Sequence, residues 1–148
     1  MRTTRNDVVA VLEGMYAAEA LYLAAGGPGR ADFAKLAPYF AADVALHRAE
    51  GLPYGGTWPG HEGMERFFTA MGRTWEVFAI ADQWFLSTGE PLVVLTHVRA
   101  RSRLTGRQID FPIVRTVGVR DGRISEIRPF YRDTAAISDV RTVLEPGV

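Results

Sequence analysis

The sequence predicts an α+β fold, a cone-shaped α+β barrel in which N-terminal helices pack on a curved, mainly antiparallel sheet. Three observations lead there. Apolar residues recur at spacings of three and four in the first half of the chain, the pattern of amphipathic helices. From Glu76 to Tyr131 the pattern changes to alternation, in four runs separated by turn-forming residues. The helices therefore come before the long strands instead of alternating with them, which is the α+β arrangement. A strongly curved sheet wrapped around helices would leave an apolar cone between the two layers.

The first helix can start at Asn6 or Asp7, whose side chains suit a cap. Its stripe is Val8, Val11, Leu12, Met15 and Tyr16, extended by Leu21 and Tyr22, and Gly26-Gly27-Pro28-Gly29 ends it. Asp32 then caps a short surface helix with Phe33, Leu36 and Phe40 on its apolar side, and Pro38 breaks or kinks it. A first strand is expected over Asp43 to Arg48. The following EGLPYGGTWPGHEG is rich in Gly and Pro and reads as a loop; its Tyr54 and Trp58 imply that it packs over the core rim or a ligand. His61 and Glu62 begin the next helix with their charges toward solvent, and Met64, Phe67, Phe68, Met71 and Trp75 form its apolar stripe.

The long strands run from Glu76 to Ser87, from Leu92 to Leu104, and on either side of Asp121-Gly122. That dipeptide between alternating segments signals a hairpin, because both residues tolerate positive φ. Strand alternation places Leu92, Val94, Thr96, Val98, Ala100 and Ser102 on one face, small and apolar as a cavity wall should be. Val93, Leu95, His97, Arg99, Arg101 and Arg103 take the other face, basic at one end. Phe111, Ile113, Arg115, Val117 and Val119 share a face, as do Ile127, Pro129, Tyr131 and Asp133 of the last run. Both faces are apolar but carry a few polar groups, which suits a pocket wall better than a sealed core. Arg115 could instead reach solvent at a strand end, and Asp133 could cap a final helix over Thr134 to Leu144.

Composition narrows the chemistry. The 148 residues, 47% hydrophobic and 11% aromatic, suit one globular domain, and 17 basic residues balance 17 acidic ones. No block of like charge runs along the chain, so neither nucleic acid nor a membrane surface is an expected partner. Lys35 is the only lysine, and its surface position leaves little scope for Schiff-base chemistry. Without cysteine, disulfides, zinc-thiolate sites and thiol nucleophiles are excluded. The N-terminus lacks the apolar region of a signal peptide, so a soluble, cytoplasmic protein is expected. An alanine- and arginine-rich, lysine-poor composition fits a GC-rich bacterial coding sequence.

The order of these segments resembles the nuclear transport factor two-like superfamily, and within it the SnoaL-like polyketide cyclases and ketosteroid isomerases. The likeness spans nearly the whole chain: the first helix with Tyr16, PYFAADVALH at Pro38 to His47, the GLPYGGTWPGHEG loop running into ERFF, TGRQIDF, and DGRISEIRPFYRD. It implies one SnoaL-like domain over residues 1–148, a cone-shaped pocket lined by the last three strands, and homodimers formed through the outer sheet face near Arg99 and Arg101. It also implies cofactor-independent chemistry, with neither metal nor organic cofactor, on a small molecule. The isomerase base, a carboxylate at the end of the first strand, would fall near His47 and Arg48, with Glu50 close by. The aspartate that isomerases and cyclases carry on the penultimate strand falls at Arg115, so a permanent cation replaces a proton carrier. Tyr16 matches the tyrosine that donates to the substrate oxygen.

His47 is the first candidate for a general base, because imidazole titrates near neutrality. Parity alone leaves open whether His47 or Arg48 faces inward. The mechanism expected is proton abstraction by His47 or Asp133 from a polyketide-like carbonyl compound, with Arg115 and Tyr16 or Tyr131 steadying the enolate. Tyr54, Trp58, Val98, Phe111, Ile113, Pro129 and Tyr131 are the expected substrate contacts. Two other readings stand beside it: epoxide opening, for which Arg115 and Asp133 supply part of a water-holding set and Asp110, a possible third member, falls by parity on the opposite face, and a noncatalytic pocket in which Arg115 binds an amphipathic acid.

Overall fold

The structure, a computed structural model, describes residues 5–26, 31–50, 52 and 54–140. Helix α1 spans Arg5–Ala24, so it starts before the expected Asn6 or Asp7. Val8, Leu12, Met15, Tyr22 and Leu23 are buried along one side, whereas Leu21, expected in the stripe, is exposed. Gly26 closes the helix in the left-handed region at φ 105°, a conformation that suits glycine. Gly27 to Gly29 lie outside the described residues.

Asp32 does act as a cap, accepting from the Ala34 amide at 2.9 Å, but the expected helix is two 3₁₀ turns, Phe33–Lys35 and Ala37–Tyr39. Pro38 sits within the second turn, where it disfavours a longer α-helix. Strand β1, Phe40–Arg48, is longer than predicted. The loop after it contains an unpredicted strand, β2, Gly56–Pro59, in which Thr57 pairs with His47 and Trp58 with Leu46. Gly and Pro have poor strand propensity, and here pairing along β1 overrides it.

Helix α2 covers Gly60–Thr74, and Trp75, expected in its stripe, opens strand β3, Trp75–Ser87. Arg103 donates to the carbonyls of Gly72 and Trp75, satisfying acceptors at the helix end. Glu62 is exposed, but His61 is half-buried with Nε2 2.9 Å from the Phe40 carbonyl oxygen, so it ties α2 to β1 and does not simply face solvent. Strands β4, Leu92–Ser102, β5, Gln108–Arg120, and β6, Arg123–Tyr131, complete a meander with β3. Asp121 and Gly122, at φ 53° and 75°, make the predicted hairpin turn. Helix α3 is Thr134–Asp139, capped by Asp133; the predicted continuation beyond Val140 lies outside the described residues.

The six strands form one sheet in the order β2-β1-β6-β5-β4-β3, antiparallel except for β1 beside β6. It curves around the helices as a cone but stays open, with β2 and β3 as its edges. Its concave face carries the predicted set on β4, all six residues buried, with Phe111, Ile113, Val117, Ile127 and Pro129 beside them. Trp75, Phe40, Phe68 and Leu12 fill the space between helices and sheet, each contributing roughly 1.5–3 kcal/mol by leaving water. The convex face shows Trp84 and Phe130 exposed, and an Arg99–Asp110 ion pair at 3.2 Å.

Gly55 holds the loop that carries Tyr54. A Cβ there would lie 2.3 Å from the Ala49 carbonyl oxygen, a contact that backbone cannot easily relieve. Gly55→Ala should therefore lower stability by about 1–3 kcal/mol in urea denaturation. An unchanged midpoint would mean that this loop does not pack as described.

Candidate functional site

A cavity lies between α1, α2 and the concave face, bounded by the loop at Tyr54. The void at its centre is about 50 Å³, within about 600 Å³ of space reaching the open mouth. Most of its wall is apolar, from Leu12, Met15, Met64, Phe67, Phe68, Met71 and Phe78. Among the described residues, three charged side chains line it: Glu19, Arg48 and Arg115.

Each is placed by an element whose periodicity brings it inward. Tyr16 and Glu19 stand three residues apart on α1 and so share a side of the helix. Arg115 lies in β5 opposite Val94 of β4 and Pro129 of β6. Val44, Leu46 and Arg48 alternate with exposed or half-exposed neighbours along β1, so Arg48 faces in and His47 faces out.

Glu19 is 8% exposed, and burial pushes its carboxyl up from 4.5 to about 7, against the downward pull of the Arg115 guanidinium. Burial also raises the Tyr16 hydroxyl, again opposed by Arg115, whose Cζ is 5.5 Å from the Tyr16 ring centroid. Thr96 also stands beside the Tyr16 hydroxyl and bonds to it. Among the described residues, Arg115 Nη1 is buried without a hydrogen-bond partner, a cost that an acceptor brought by a ligand would relieve.

Arg48 is held differently. Its Nη2 donates to Tyr131 Oη at 3.1 Å, and its Cζ lies 4.1 Å over the Tyr54 ring, with Phe67 and Tyr131 each at 5.5 Å. Tyr54 Oη in turn accepts from Trp75 Nε1 at 2.7 Å. Tyr54 adopts φ 44°, unusual for a residue other than glycine and costing roughly 1–2 kcal/mol. Burial raises its hydroxyl, with Arg48 pulling it down.

Several expected site residues are elsewhere. His47 lies on the convex face, 3.4 Å from Glu126 Oε2 by Nε2 and 3.4 Å from Thr57 Oγ1 by Nδ1. Asp133 is exposed and accepts from the Ala136 amide, so it caps α3 and does not face the cavity. Asp110 is taken by Arg99 outside the cone, which leaves the epoxide-opening set without either aspartate beside Arg115. Val98 and Ile113 are sealed in the core, and Phe111 sits behind the wall between the rings of Phe78 and Tyr131. Trp58 backs the wall by packing on Phe67 and donating to the Tyr54 carbonyl at 3.1 Å. Tyr16, Tyr54, Arg115, Pro129 and Tyr131 do line the cavity. Among the described residues no group of three His, Asp or Glu side chains could hold a metal ion, and no helix is long and apolar enough to cross a membrane.

An open, curved sheet wrapped on helices around a cavity is the fold of NTF2-like proteins. The chain belongs to the SnoaL-like domain family, which matches residues 12–127. An NTF2-like protein from Burkholderia xenovorans LB400 superposes with a TM-score of 0.77 at 20% identity, covering 95% of this chain and 100% of its own. TerC, co-crystallised with polyporic acid, gives 0.76 at 20% identity over 91% and 98%. A candidate polyketide cyclase from Xanthomonas campestris pv. campestris gives 0.72 at 18% identity over 92% and 98%. At these identities the likeness establishes the fold. No curated protein matches the chain.

Burial of Glu19 should be visible in stability. Between 4.5 and about 7 the folded protein keeps a proton on Glu19 that the unfolded chain releases. The contribution is therefore full below pH 4.5 and is lost as pH rises through 7, by up to about 3 kcal/mol. Urea denaturation at pH 5 and pH 8 should show the wild type losing ground to Glu19→Gln at the higher pH; parallel behaviour of the two would place this titration on another group.

Proposed function

We propose that the protein is a cofactor-independent acid–base enzyme of cyclase, isomerase or dehydratase type, acting on a small, largely apolar carbonyl compound of polyketide-like structure, with Glu19 as the proton-transferring group. The observation that carries this reading is a buried carboxyl, raised to about 7, on the cavity wall beside Arg115 and Tyr16. A base working at neutral pH needs that affinity, and burial without a bonded partner is a way to reach it.

In the reaction Glu19 carboxylate removes a proton from the carbon next to a carbonyl, and the C–H electron pair moves to the carbonyl oxygen. The resulting enolate is stabilised by Arg115, whose Nη1 has no protein acceptor, and by the Tyr16 hydroxyl on the same wall. Where a C=C adjoins that carbon the enolate is a dienolate, and protonated Glu19 returns its proton to the far carbon as the double bond shifts into conjugation, giving an isomer. Alternatively the enolate carbon attacks a second carbonyl of the same molecule, and Glu19 protonates the new alkoxide, giving a ring. Each path returns Glu19 to its starting state without an oxidant or reductant. The description of the Xanthomonas neighbour as a candidate polyketide cyclase and the acid bound to TerC support a small organic substrate of this kind.

The test is solvent deuterium exchange at the carbon between the carbonyls of ethyl benzoylacetate and related aromatic ketones, followed by nuclear magnetic resonance. Glu19→Gln should slow exchange roughly 10²-fold or more, and kcat/KM should rise with pH and level off above about 7, because the deprotonated form is the base. His47→Ala should leave the rate unchanged, since that side chain is outside the cavity. Full activity in Glu19→Gln would end this reading.

A further inference from the structure

The cavity wall holds two guanidiniums against a single carboxylate, among the described residues. Arg115 keeps Nη1 buried with no protein acceptor, and its neighbour Glu19 carries a full negative charge only above neutrality. Arg48 adds a second cation, fixed by Tyr131 Oη and stacked on Tyr54. Cationic donors in an apolar site gain most from an anion that arrives with them, because the low dielectric strengthens the attraction and the spare N–H finds an acceptor. The surroundings of that charge are aromatic, from Tyr16, Tyr54, Phe67 and Tyr131.

We propose that the ligand of this cavity is an aromatic carboxylic acid, its carboxylate held by Arg115 within the field of Arg48 and its ring against the aromatic wall. This rests on the reading of the cavity as the substrate site and adds the chemical class of what enters. The empty centre is small for such a molecule, so its entry requires side chains to move. Met15, Met64 and Met71 line the cavity and are the residue type best able to do so, being unbranched and flexible at three bonds.

The probes are 2-naphthoate and 2-naphthamide, equal in ring and shape but not in charge, titrated calorimetrically into the full chain at neutral pH. The acid should bind roughly tenfold or more tightly than the amide, as a charge-assisted bond predicts. Arg115→Met should erase most of that preference, and Glu19→Gln should keep it, with circular dichroism showing both variants folded. Equal binding of the two probes, binding of neither, or an acid preference that survives both Arg115→Met and Arg48→Met overturns the proposal. Should the arginine variants not fold, the acid and amide compared on the wild type decide it alone. The catalytic reading fails separately: retained deuterium exchange in Glu19→Gln with a clear acid preference removes Glu19 as base and leaves the ligand class standing.

Discussion

Bringing a charge out of water into apolar surroundings costs several kcal/mol unless something nearby compensates, and this chain brings Glu19, Arg48 and Arg115 to one cavity. Two different compensations are visible. Arg48 is enclosed by π faces and a phenol, an arrangement that needs Tyr54 turned into a left-handed conformation and braced by Trp75. Gly55 is then required beside it, because the chain doubles back so tightly on Ala49 that no Cβ fits. Arg115 and Glu19 compensate each other only in part: Arg115 pulls the carboxyl down, yet burial still leaves it well above its ordinary value. The first cation is settled by the protein, whereas the second retains an unused donor facing the cavity.

The open, curved sheet leaves a space between its concave face and the helices, to which α1 brings Tyr16 and Glu19 and the sheet brings Arg48 and Arg115. Strict alternation on β4 adds six small or medium residues to the buried face. The rings on the cavity wall come from α1, β1, the Tyr54 loop, α2, β3 and β6.

The alternation of β4, β5 and β6 was legible in the sequence, as was the Asp121-Gly122 turn, because these depend on local chemistry; for Asp133 the sequence left a cap and a catalytic group both open, and the structure gives the cap. Strand β2 was not, since Gly56, Thr57, Trp58 and Pro59 become a strand only through pairing with β1, which a local pattern does not contain. The site was half legible. Arg115 stood out as a polar group on an apolar face, and Tyr16 through the resemblance. Glu19 escaped notice in an alanine-rich stretch, although it occupies the stripe itself: Leu12, Met15, Glu19 and Tyr22 follow at spacings of three, four and three. A carboxylate on a core stripe was the available signal. For β1, Val44 and Leu46 carried the answer to which of His47 and Arg48 faces inward, but the irregular pairing between Phe40 and Ala45 made the strand's phase unsafe to extrapolate.

In the resemblance to ketosteroid isomerases, acids would stand on the first and penultimate strands. Here both sheet positions that face the cavity, Arg48 and Arg115, are cationic, and the carboxyl comes from the helix on the opposite wall. The charge on the sheet is thus reversed in sign with respect to that pattern, while the cone is kept. Such a reversal has a consequence for any substrate that uses all three groups. Its electron-rich end must lie against the sheet, near Arg115, and the carbon that changes its proton must lie toward α1, near Glu19. The fold leaves the choice of chemistry to a few inward positions, and on the proposed reading those positions would orient the ligand before any bond is made or broken.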